Sequence, residues 1–169
     1  MEEESEGEIV SLNVINRKAP YQVRFKENQS NVLQFITDKS LIYNITFVVD
    51  QTLALSNIFQ FVIEEELQTH ASHDPKVEQT IIAIADSFFL DKERVLSFVC
   101  DTKGSHEVAR NLLFHKWFTK YNKKKLLKID GVVHTEETTF YSSIICNQEN
   151  TNIEIVKSTY MDLINELQK

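Results

Sequence analysis

The stretch Asp74-Pro75-Lys76-Val77-Glu78-Gln79-Thr80-Ile81, followed by Val95-Leu96-Ser97-Phe98-Val99-Cys100 and then by Ser105 to Tyr121, decides how this chain is read. Its first part opens a helix. Asp74 is placed to accept hydrogen bonds from the free amides of the first turn. Pro75 at the first helical position loses nothing, because its missing N–H would be unpaired there anyway. Val77, Ile81, Ile84 and Phe88 keep helical spacing along one side. Val95 to Cys100 is a short, nearly continuous apolar run, the pattern of a central strand covered on both faces. A second helix starts at Ser105 and carries Val108, Ala109, Leu112, Leu113, Phe114, Trp117, Phe118 and Tyr121. Helix, buried strand, helix predicts a globular α+β domain built around one interior strand.

Upstream, the periodicity is mostly that of strands. Glu8 to Ile15 reads as a first strand through Ile9, Val10, Leu12 and Val14. Tyr21, Val23 and Phe25 alternate with Gln22, Arg24 and Lys26, as in a half-buried strand. After a turn at Asn28 to Ser30, further strands are predicted over Val32 to Thr37, Leu41 to Val49 and Ile58 to Ile63. Short polar connections between them favour an antiparallel meander. Downstream, Leu126 to His134 and Thr138 to Asn147 read as two strands around Thr135-Glu136-Glu137. A last helix begins near Thr151, where Thr151 and Glu154 have capping-box spacing. Val156, Tyr160, Leu163 and Leu167 form its apolar stripe. The expected fold is α+β: a mixed, mainly antiparallel sheet of roughly seven strands flanked by two long helices, plus the C-terminal helix. Residues 9–169 are expected to form a single domain behind an acidic, disordered tail at 1–8.

Composition narrows the function classes. In 169 residues, 42% are hydrophobic and 25% charged, which excludes wholesale disorder. Only 3 Gly are present, which argues against Gly-rich phosphate loops. The formal net charge is −7, whereas a nucleic-acid binder needs lysine and arginine to displace counterions from phosphates. An acidic balance fits solubility or a basic protein partner. Met1 to Glu8 lacks the basic and apolar regions of a signal peptide, and no apolar run approaches the ~20 residues that span a bilayer. A cytoplasmic protein with no membrane and no nucleic-acid partner is expected. Cys100 and Cys146 both fall in predicted strands. Buried free thiols are expected, and a disulfide requires those strands to be adjacent.

Candidate chemistry is sparse. Asp101, Ser105, His106 and Arg110 gather where the central strand meets the second helix, and they form the candidate ligand-binding group. Ligands often bind beyond the carboxyl ends of strands in open α/β sheets, and a helix N-terminus attracts anions. Ser105, His106 and Asp101 are also the residue types of a hydrolase triad. A triad needs a base oriented in space by a third group, and capping alone explains Ser105. Trp117, Phe118 and Tyr121 are core if buried and an interaction surface if exposed. His70 and His73 lie in a connection where spacing does not make ligands converge, so no metal is predicted. No catalytic residue and no cofactor are predicted either.

Asp74 to Ile81, Phe88-Phe89, the strand ending in Cys100-Asp101, and Arg110 through Leu113-Phe114 to Trp117-Phe118 together resemble a family of small bacterial proteins classed only as a domain of unknown function. That resemblance covers most of the chain after Tyr21 and implies no activity. The element order is similar to the C-terminal part of the GNAT N-acetyltransferase fold, and Ala109 to Phe118 is similar to that fold's late helix. This second resemblance implies an acyltransferase using acetyl-coenzyme A. Two positions depart from it. His70 to Gln79 has no glycine where the fold's pyrophosphate loop lets backbone N–H groups approach the phosphates. Leu113 or Phe114 stands where a tyrosine often serves as general acid. The expected function is a non-catalytic binding or accessory protein in contact with an unidentified protein partner. The alternatives are a divergent acyltransferase and an acidic inhibitor or immunity-type protein covering a basic partner.

Overall fold

The computed structural model describes residues 9–66, 74–101, 118–119 and 125–168. In chain order the elements are α1 (Leu12–Lys18), β1 (Arg24–Lys26), β2 (Gln29–Ile36), β3 (Ile42–Val49), β4 (Ile58–Glu65), α2 (Pro75–Phe88), β5 (Val95–Asp101), β6 (Leu126–His134), β7 (Thr139–Asn147) and α3 (Ile153–Leu167). The strands form one sheet in the order β1-β2-β3-β4-β5-β7-β6. Strand β5 pairs parallel with β4 and antiparallel with β7, so the sheet is mixed. A parallel join needs a crossover, and α2 supplies it between β4 and β5. The fold is therefore α+β, with β5 inside the sheet. Val95, Leu96, Ser97 and Phe98 are all buried although neighbours on a strand face opposite ways. As far as Phe98 the run is thus covered on both faces, while Val99 is 49% exposed. The strands after Tyr21, then α2, β5 and the two closing strands, follow in the predicted order. Of the second long helix predicted from Ser105, only Phe118 and Thr119 are described, and both are helical.

Packing divides the chain into two compact units, Met1–Phe47 with Val62–Leu90 and Val48–Phe61 with Asp91–Lys169. In the first, α2 follows its sequence closely. Asp74 is the N-cap, Pro75 opens the helix, and Val77, Ile81, Ile84 and Phe88 are buried. Leu33, Phe35 and Ile45 supply buried residues from the strands. The first strand predicted over Glu8 to Ile15 is not formed; Leu12 to Ile15 instead open the helix α1, with Ser11 as its N-cap. Ile9, Val10, Leu12, Val14 and Ile15 satisfy either period, and contacts distant in sequence settle the choice. The Ser11 N–H donates to Ser87 Oγ of α2 at 2.9 Å, while Ser11 Oγ accepts from the Val14 N–H at 3.4 Å. The Asn16 amide then brackets Val23, donating to its carbonyl at 2.9 Å and accepting from its N–H at 2.7 Å. A side chain here does the work of a neighbouring strand. The turn expected at Asn28 to Ser30 is tighter than predicted, and β2 already begins at Gln29.

In the second unit, α3 covers one face of the sheet. Val156, Tyr160 and Ile164 pack with Val95, Val133, Ile144 and Cys146. The stripe turns away from the predicted one at its end, where Leu167 is 52% exposed. The predicted capping box also gives way. Asn152 is the N-cap, and Thr151 instead donates from Oγ1 and N to the Glu93 carboxylate at 2.6 and 3.2 Å. The two cysteines do stand on adjacent strands. However, Cys146 is opposite Val95 and Cys100 is opposite Tyr141. Five residues at ~3.3 Å each place them about 16 Å apart along the strands, well beyond the ~7 Å Cα limit for a disulfide. Cys146 is a buried free thiol whose pKa is raised by that burial. Among the described residues, no helix is long and apolar enough to cross a membrane.

Candidate functional site

The start of α2 is closed by a carboxylate of its own chain. Asp74 Oδ1 accepts from the Lys76 N–H at 2.9 Å, and Asp74 Oδ2 accepts from the Tyr21 hydroxyl at 2.6 Å. The Tyr21 oxygen in turn accepts from the Asp38 N–H at 3.4 Å. Lys76 Nζ lies 3.0 Å from Asp38 Oδ2 and 5.7 Å from the centre of the Tyr21 ring. One turn on, Thr80 Oγ1 donates to the Lys76 carbonyl at 2.7 Å and accepts from the Tyr21 N–H at 3.3 Å. Tyr21 is therefore tied to α2 at both its backbone and its hydroxyl. The hydrogen bond from Tyr21 holds the Asp74 carboxyl below its ordinary pKa against the opposing effect of burial. Burial, reinforced by that same bond, pushes Tyr21 up to about 12. The positive end of a helix favours a negative charge, and here Asp74 supplies it.

This coupling has a sign that can be tested. A tyrosine whose folded pKa lies above its unfolded value stabilises the fold fully below about 10, and that contribution is lost as pH rises from 10.0 towards about 12. Asp74 works in the opposite sense, its contribution being lost as pH falls through its lowered folded value. Tyr43 and Tyr160 are also raised, both first by burial. Urea unfolding of Tyr21→Phe above pH 10 is thus expected to show a shallower loss of stability than the parent chain, not a flat one. An unchanged slope would remove Tyr21 from this role.

A second polar group crosses β1, β2 and β3. The register sets Arg24 opposite Gln34 and Gln34 opposite Asn44, on the face away from Leu33 and Ile45. Arg24 Nη2 donates to Gln34 Oε1 at 3.2 Å, and Gln34 Nε2 donates to Asn44 Oδ1 at 3.0 Å. Asn44 Nδ2 and Lys26 Nζ both reach Glu66 Oε1, at 3.0 and 3.3 Å. Hydrogen bonding by Asn44, outweighing burial and aided by Lys26, lowers the Glu66 pKa. Asn44 is buried, enclosed by its hydrogen-bond partners. In the second unit, Ser97 Oγ donates to Asp50 Oδ2 at 2.6 Å. Burial raises the Asp50 pKa, but the bonds from Ser97 and the Thr52 N–H outweigh it and the net shift is downward. Asp130 receives Ser143 Oγ and is ion-paired to Lys128. These groups satisfy one another; buried polar atoms of a sheet must do so.

Of the predicted ligand group, Asp101 ends β5, opposite Phe140 of β7. Ser105, His106 and Arg110 lie outside the described residues, as do Trp117 and Tyr121 of the predicted aromatic surface. Phe118 is helical and half-buried. His70 and His73 are also outside, and no group of 3 or more metal-ligating residues gathers among the described ones. Tyr21, Asp38 and Lys76 were not singled out by the sequence. The alternation around Tyr21 places its ring, but nothing local points its hydroxyl to a residue 53 positions away.

No curated protein matches the chain. Among solved structures, it is similar to a CoA-dependent acyl-homoserine lactone synthase, MesI, at 10% identity over 83% of this chain and 75% of that one, with a TM-score of 0.37. A likeness of that size says nothing about activity. Residues 73–162 match the family described as "Family of unknown function (DUF6169)". The match spans α2, β5, β6, β7 and most of α3, more than half of the chain, and the protein belongs to this family of unknown function.

Proposed function

We propose that this chain is a non-catalytic binding protein that acts through contact with another protein. The observation that carries the non-catalytic reading is the closed start of α2. A coenzyme A pyrophosphate received at a helix N-terminus needs free N–H groups and a positive local field. Asp74 takes the Lys76 N–H, is held ionised by Tyr21, and places a negative charge at the helix start. An incoming pyrophosphate would meet like charge, at a helix start that also lacks glycine. The second reading, a divergent acyltransferase using acetyl-coenzyme A, is favoured by the parallel β4–β5 pair joined through α2 and by the closing order β5-β7-β6. Calorimetric titration of the full chain with acetyl-coenzyme A separates the two. No saturable heat is expected, and stoichiometric saturable binding would transfer the proposal to the second reading.

A further inference from the structure

We draw no further inference here: the strongest candidate, the polar cluster on the α3 side of β5 where Ser97 donates to Asp50 at 2.6 Å and Tyr160 donates to Ser142 at 3.0 Å beside the half-exposed Val99, carries nothing, because these groups spend their hydrogen bonds on one another and nothing in the structure shows what covers Val99.

Discussion

Replacing Phe88 by alanine is expected to cost about 3–5 kcal/mol of unfolding free energy, the largest loss of any single truncation considered. Phe88 is fully buried at the end of α2. Its ring lies parallel to that of Phe47, with centroids 4.7 Å apart, and Phe89 meets it edge-on at 4.9 Å. Truncation removes the apolar transfer energy, the aromatic contacts beyond it, and leaves a cavity that a packed core closes only in part. Domains of this size are typically stable by about 5–15 kcal/mol, so the variant would sit near its unfolding threshold at ambient temperature. Urea denaturation monitored by circular dichroism measures the loss directly. A change below about 1 kcal/mol would mean that α2 does not anchor on β3 through this ring pair.

The second large effect is expected at Gly131. A β-carbon built there falls 2.8 Å from Cγ1 and Cδ1 of Ile164 and 2.9 Å from the Tyr160 hydroxyl. None of these can retreat freely. Ile164 and Tyr160 are buried, and the Tyr160 hydroxyl donates to Ser142 Oγ at 3.0 Å. The clash, not backbone conformation, is why glycine stands in β6. Gly131→Ala is expected to destabilise by about 1–3 kcal/mol, as overpacking of a filled core does. Ile164→Val alone should cost about 0.5–1.5 kcal/mol. In the Gly131→Ala background the same shortening should cost less or even restore stability, because it clears the space the new methyl needs. A double-mutant cycle reads this as a coupling energy, and strict additivity would show that α3 does not press on Gly131.

The features legible in the sequence are those whose causes lie within a few residues of each other. Asp74 and Pro75 mark the start of α2 because a cap and its amides are neighbours in the chain. Leu126–His134 is a strand with the predicted limits, and Val95 to Cys100 announces an interior strand because both faces of it must be apolar. Where two periods fit equally, the sequence is silent. Leu12 to Ile15 opened α1 because Ser11, its N-cap, gives its N–H to Ser87 of α2. Thr151 abandoned its local capping box because Glu93, 58 residues away in sequence, offers a carboxylate. The Cys100–Cys146 question turned on strand register, which depends on every pair in the ladder and cannot be read from either cysteine.

The same division runs through the candidate site. Asp74 was readable as a cap, but its second oxygen is claimed by the hydroxyl of Tyr21, 53 residues away in sequence, and that contact turns an anion-attracting helix start into an occupied one. The amino-acid sequence by itself determined α2 and β5, the acidic balance and most of the apolar core positions, since propensity, charge and periodicity are local properties. Only the tertiary structure decided which polar groups meet and why glycine is required at 131, because those depend on distances between residues that the chain order keeps far apart.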